Sequence, residues 1–122
     1  SPRDVGQDLI KAGTPEEEIR RMIAGVQADL IIYGHTHEPL DRTVDDIRLI
    51  NPGAVGYPIG EPATARYALL TQEGEEWQVE FRLVHDDVEK TIALLLAAQR
   101  PYRLWIAERL RSAAYIPPTT FE

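Results

Sequence analysis

No cysteine occurs among the 122 residues. Disulfides, thiolate zinc sites and cysteine nucleophiles are thereby excluded together. The absence fits a reducing, cytoplasmic setting, and any bound metal must use nitrogen and oxygen ligands. Long apolar runs are also missing. The longest candidate, Ile92 to Ala98, falls far short of the roughly 20 residues needed to cross a bilayer, so no membrane-spanning helix is expected. Basic residues are scarce, with 13 Lys and Arg against 20 Asp and Glu, a formal net charge of −7. Binding along a nucleic-acid backbone depends on Lys and Arg neutralising phosphates, and is not expected here. A small phosphorylated substrate is compatible with the charge, because bound divalent cations reverse its local sign. Histidine is rare as well, at three residues, which makes the placement of two of them informative.

What is present reads as an ordinary soluble globular chain, 43% hydrophobic, long enough for one domain over residues 1–122 or for part of one. Its organising stretch is Ala28-Asp29-Leu30-Ile31-Ile32-Tyr33-Gly34-His35-Thr36-His37. The first part is short, apolar and rich in β-branched residues, the pattern of a strand buried on both faces. It breaks at a glycine, which lets the backbone leave the strand and approach a ligand closely. Two imidazoles then follow with one residue between them. The carboxyl ends of strands are where open α/β sheets bind their ligands, so His35 and His37 read as half of a metal site. Two imidazoles do not complete a catalytic centre, which takes at least three protein ligands.

Around this stretch the sequence alternates helix and strand. Residues Ser1 to Gly13 are polar, with one apolar patch at Leu9-Ile10. Thr14-Pro15-Glu16-Glu17 predicts a helix start: Thr14 as N-cap, Pro15 at the first helical position, and Glu17 completing a capping box. Glu16, Glu17 and Glu18 suit the positive end of the helix dipole rather than a metal. Ile19, Met22, Ile23 and Val26 make one apolar face of a helix over Pro15–Gln27, and the strand Asp29–Tyr33 follows at once, an α/β alternation. Leu40–Val44 and Ile47–Ile50 predict a hairpin across Asp45-Asp46, which Asn51-Pro52-Gly53 ends. Tyr57 to Ala63 is a Pro/Gly-rich connecting loop. Arg66–Thr71 and Trp77–Val84 predict a second hairpin, with Trp77, Val79, Phe81 and Leu83 on a buried face. Asp86 or Asp87 can cap a helix carrying Val88, Ile92, Leu95 and Leu96. Pro101 opens a last helix with Leu104, Ile106 and Leu110, which Tyr102 and Trp105 could anchor.

Gly34-His35-Thr36-His37, then Glu38-Pro39 and, after a polar span, Ile50-Asn51-Pro52-Gly53-Ala54-Val55-Gly56 resembles the closing motifs of the calcineurin-like metallophosphoesterases. The likeness is strongest to the small bacterial phosphodiesterases of that superfamily. It extends through Ala65-Arg66-Tyr67-Ala68-Leu69-Leu70 and Val79-Glu80-Phe81-Arg82-Leu83-Val84 to Asp87-Val88-Glu89. It also touches Ser1-Pro2-Arg3-Asp4, which looks like the residues after a metal-binding His-Gly pair.

The resemblance implies an α/β fold, the C-terminal part of an αββα sandwich with a mixed sheet and flanking helices. It implies two divalent ions (Mn, Fe, Zn or Co), which clamp a phosphoryl group of a diester or monoester for attack by a metal-activated hydroxide. Two metals about 3.5–4 Å apart stabilise both the attacking and the leaving oxygen. On the family's pattern His35 binds the second metal and His37 the first. Gly34 provides room, Thr36 supports the site through its hydroxyl, and Asn51 and Gly53 support it from the next strand end. Many members carry serine where this chain has Ala54, so no hydroxyl contact is assigned there. Ligand imidazoles must be neutral, so metal affinity falls at acidic pH.

The family's Asp-x-His, Gly-Asp and Gly-Asn-His motifs are absent, and the third histidine, His85, stands in a different context. With Ser1 first rather than methionine, the expectation is the C-terminal portion of a longer phosphoesterase, inactive by itself. A non-catalytic scaffold of the same fold is the alternative. If the protein truly ended at Ser1, the severed sheet would expose an edge and an apolar face, and pairing into a homo-oligomer would be expected.

Overall fold

The computed structural model describes residues 9–117. The resemblance at Ser1-Pro2-Arg3-Asp4 therefore lies outside the described residues. The chain divides after Gly53 into two compact units.

The first unit is a helix on a three-stranded mixed sheet. Helix α1 spans Glu16–Ile23, strand β1 Leu30–Ile32, β2 Leu40–Val44 and β3 Ile47–Asn51. The strand order is β1-β3-β2, with β1 parallel to β3 (Leu30 opposite Arg48, Ile32 opposite Ile50) and β2 antiparallel to it. Ile19, Met22 and Ile23 pack with Ile10, Val44 and Leu49 in one core, and Val26 joins its rim, as the helical spacing predicts. Asp45 and Asp46 join β2 to β3 with φ of 49° and 65°. Positive φ at both positions marks the type I′ turn, whose twist matches that of the strands it joins.

Two expectations are corrected here. Thr14 does not cap α1, and the capping box does not form. Its hydroxyl instead closes the preceding turn, accepting from Lys11 N–H at 2.9 Å and donating to Leu9 O at 3.4 Å. Pro15, with ψ of 141°, is the cap residue, and its carbonyl accepts from Glu18 and Ile19 N–H. The helix also stops at Ile23, because Gly25 turns the chain with φ of +80°. The second correction concerns β1. Its side chains are not buried on both faces, and Ile32 is 59% exposed. The strand lies at the sheet edge, paired with β3 alone among the described residues.

The second unit holds a long hairpin and a helix pair. Strand β4 spans Thr64–Glu73 and β5 Glu76–His85, paired antiparallel throughout, with Gly74 at φ +67° opening the turn. The expected buried face is only partly covered. Trp77 and Val79 are half-buried, but Phe81 and Leu83 are 40% and 41% exposed. The helices α2 (Val88–Ala97) and α3 (Arg103–Ser112) pack on each other rather than across this hairpin. Asp87 caps α2 as expected, accepting from Lys90 N–H at 3.2 Å. Val88 and Ile92 bury against Ala107, while Leu96 is exposed. Pro101 lies in the turn before α3, which starts after Tyr102 in the left-handed region. Leu104, expected in the core, is 60% exposed, and Ala107 takes the buried position. Among the described residues no helix is long and apolar enough to cross a membrane.

A bidentate pair links the two helices. Arg111 donates from Nε and Nη2 to the Glu89 carboxylate, each at 2.8 Å. The hydrogen bond from Arg111 holds Glu89 below the ordinary carboxylate value of 4.5. The folded protein therefore binds this proton less readily than the unfolded chain. The stability that the pair supplies is complete above about 4.5 and is lost as the pH falls through and below that value. Glu89→Gln is expected to flatten that acid limb in thermal melts of the full-length protein, and an unchanged limb would contradict the pairing.

Candidate metal centre

The motif Gly34–His37 begins where the parallel ladder ends. Tyr33 N–H donates to Ile50 O at 2.9 Å, the last backbone bond between β1 and β3. Beyond it the chain turns sharply. Thr36 N–H donates to Gly34 O at 3.0 Å across His35, whose φ is 75°. That combination is a γ-turn of the rare, strained kind. His37 follows with φ of 62°, so both imidazoles stand on left-handed backbone. Such residues cost of order 1–3 kcal/mol each and persist where their surroundings over-determine them. The sequence reading placed the sharp departure at Gly34, but Gly34 has no positive φ and open space where a Cβ would stand. The conformational demand falls on His35 instead.

The surroundings that hold this turn are visible. Thr36, between the two histidines, is buried, and Asn51 at the end of β3 is fully so. Asn51 Nδ2 donates to Thr36 Oγ1 at 2.9 Å and reaches Gly34 O at 3.5 Å. At its other end, Asn51 Oδ1 accepts from Gly53 N–H at 3.0 Å, an Asx-turn that bends the chain out of β3. Gly53 has φ of 90°, a conformation that suits glycine. One side chain thus ties the loop after β1 to the loop after β3. His35 is exposed and His37 half-buried. The structure therefore brings Gly34, His35, Thr36, His37, Asn51 and Gly53 to one end of the sheet, the carboxyl end of its parallel pair.

Neighbouring groups complete the picture. Tyr33 O–H donates to Ile10 O at 3.3 Å. Burial, reinforced by the Glu38 carboxylate, pushes its phenol up to about 12 against the opposing pull of Arg42. Lys11 stands 3.5 Å from Glu38. Glu16 and Glu17 engage Arg20, in keeping with a helix-end role. Ala54 is buried, and His85 ends β5 in the second unit. No group of three or more His, Cys, Asp or Glu side chains converges among the described residues. The imidazole pair suits a divalent transition metal by ligand type, but supplies only part of a coordination set. Sequence reasoning named Asn51 without its role. An Asn before Pro-Gly, at a strand end, was the available signal.

The Thr36–Asn51 bond is testable by a double-mutant cycle. Asn51→Ala strands a buried hydroxyl and is expected to cost about 1–3 kcal/mol, with Thr36→Val costing about 1 kcal/mol. The two losses should combine to less than their sum in urea unfolding. Additive losses would show that the contact does not couple them.

Similarity to known proteins identifies the family. The profile of the calcineurin-like phosphoesterase superfamily domain matches residues 8–75, a span that contains the whole motif. A phosphodiesterase of Methanocaldococcus jannaschii is 43% identical over 51 residues, 41% of this chain and 29% of that protein. A probable metallophosphoesterase of Methanothermobacter thermautotrophicus is 32% identical over 65 residues, 52% of this chain and 36% of that protein. The match thus spans about a third of the length of these curated relatives. Among solved structures, a hypothetical protein of Pyrococcus horikoshii OT3 superposes with a TM-score of 0.72 at 19% identity, covering 88% of this chain and 41% of that one. It shares the fold. The chain therefore belongs to the calcineurin-like phosphoesterase superfamily, with a mixed α/β structure to match.

Proposed function

We propose that this chain carries the last metal-binding motif of a metal-dependent phosphoesterase acting on a small phosphorylated substrate. The observation that carries the reading is the pair His35 and His37 on strained backbone, held by Thr36 and Asn51 at the carboxyl end of parallel strands. The relatives' names, a phosphodiesterase and a probable metallophosphoesterase, support the reaction class. His35 and His37 would hold two divalent ions of the Mn, Fe, Zn or Co type, together with carboxylates and imidazoles from residues beyond those described. Bound there, such ions supply Lewis acidity and a nucleophile at neutral pH.

The part played by this chain's own residues is positional. Ligand nitrogens work only when placed to within a fraction of an ångström. The γ-turn at His35 fixes where the first imidazole leaves the backbone. Buried Thr36 keeps the segment between the histidines from slipping, and Gly53, with φ of 90°, lets the second loop turn away. The acidic balance of the chain also makes it a poor host for an anion unless cations are present. We propose a cytoplasmic location, in keeping with the lack of cysteine, and self-association as a homo-oligomer.

Two measurements test this reading. In the full-length protein, His35→Ala and His37→Ala are each expected to lower bound metal, measured by elemental analysis. Each should also reduce Mn²⁺-dependent hydrolysis of bis-p-nitrophenyl phosphate by about 100-fold or more, equivalent to about 2.7 kcal/mol. Unchanged metal content and turnover would overturn the assignment. The 122-residue chain by itself is expected to hydrolyse the same ester poorly even with Mn²⁺. A full-length protein with neither metal nor turnover would instead be a non-catalytic scaffold.

A further inference from the structure

Arg109, in the last turn of α3, is surrounded by aromatic rings. Its guanidinium carbon lies 4.6 Å from the ring centre of Tyr57, 5.1 Å from that of Trp105 and 5.7 Å from that of Tyr115. These rings come from three stretches of the second unit: the loop before β4, α3 itself and the segment after it. Each stretch is fastened independently. Gly60 N–H donates to Ala113 O at 2.9 Å, Ala113 N–H to Arg109 O at 3.1 Å, and Trp105 Nε1–H to Ile116 O at 2.7 Å. The cation is therefore held in place by several segments at once.

Its hydrogen-bonding state is unusual for this chain. Some arginine forks of the chain are filled by carboxylates, whereas Arg66, with Nη2 3.5 Å from Glu61, also keeps a buried Nε without an acceptor. Arg48 spans Asp41 through Nε and Nη2 at 2.9 and 2.7 Å, and Arg111 spans Glu89 in the same manner. Arg109 has no carboxylate partner among the described residues, and its Nε is buried without an acceptor. Arg109 as a whole is half-buried and so is not sealed from solvent. Ring faces attract the charge by about 0.5–2 kcal/mol, but leave most of the five N–H donors unanswered. The result is a guanidinium held among rings with donors left unanswered, a group able to receive two oxygens of an oxyanion in parallel.

We propose that Arg109, with Tyr57, Trp105 and Tyr115 around it, forms an oxyanion site for a phosphate group carried by a small ligand. The site is built entirely from residues of the second unit. Trp105, Arg109 and Tyr115 lie beyond residue 75, where the superfamily match ends, so the site is additional to the imidazole motif. Because the chain carries a net charge of −7, an anion gathers here through directed bonds and not through the overall field.

The test is a titration of the full-length protein with inorganic phosphate, in EDTA and at constant ionic strength set with chloride. The Arg109 Nε–Hε resonance, identified by its loss in Arg109→Lys, and the Trp105 emission are followed together. Both are expected to move saturably with a midpoint in the millimolar range, while acetate at equal concentration moves neither. Arg109→Gln, which removes the Nε signal, should weaken the phosphate affinity read from Trp105 emission about tenfold or more, the loss of a charge-assisted pair of hydrogen bonds. No phosphate-dependent shift of the wild-type Nε signal would overturn the proposal, whatever the variant does. An equal response to acetate would overturn the assignment to phosphate.

Discussion

The hydrogen bond from Asn51 Nδ2 to Thr36 Oγ1, 2.9 Å long and buried, is the constraint on which the candidate centre depends. Strands β1 and β3 bring the two loops alongside each other through a parallel ladder of only three residue pairs. That ladder ends at Tyr33 and Ile50, before either imidazole. Beyond it the backbone adopts two left-handed residues that together cost about 2–6 kcal/mol. A net hydrogen bond contributes about 0.5–1.5 kcal/mol, so no one bond offsets this strain. Asn51 matters because it acts at several points. It engages the hydroxyl between the histidines, approaches the carbonyl that opens the γ-turn, and closes its own turn at Gly53. Breaking it would leave buried polar groups on both loops.

The two units differ in what stabilises them. In the first, α1 lays Ile19, Met22 and Ile23 on Val44 and Leu49, an arrangement with a dry centre. In the second, the helix pair buries only Val88, Ile92 and Ala107, and the hairpin keeps several apolar side chains open. Exposed ion pairs contribute little there, because solvent screens them and long side chains lose freedom on pairing. The aromatic surround of Arg109 therefore carries an unusual share of the docking of α3. It joins three segments that apolar burial alone would hold loosely.

What was legible in the sequence was what depends on neighbours along the chain. The i, i+3, i+4 spacing of α1, the Asp45-Asp46 turn, the Asp87 cap and the strand before Gly34 are local patterns, and the structure bears them out. The expectations that failed concern what a residue meets across the fold. Thr14 closed the turn behind it, not the helix ahead, because two backbone partners at Leu9 and Lys11 were nearer at hand. Ile32, Phe81 and Leu83 read as buried because their alternation is that of buried strands, yet pattern does not reveal whether a second layer arrives. At the centre itself, Gly34-His35-Thr36-His37 was visible as a motif. The γ-turn was not, since nothing in the residue types requires histidine to take positive φ.

That last point bears on how a divided metal centre can be built. When ligands come from segments far apart in sequence, none can rely on the others for its position before the metal arrives. Each segment needs its own local restraint. His35-Thr36-His37 meets that requirement with a buried threonine between two ligand candidates, anchored to the adjacent strand end. The spacing of one residue then has a physical reason: the middle side chain faces the protein and fixes the turn. Histidine, like asparagine and aspartate, is enriched among the non-glycine residues that take positive φ, though glycine takes it at less cost. A buried pin between two residues of positive φ is what holds the turn in this shape.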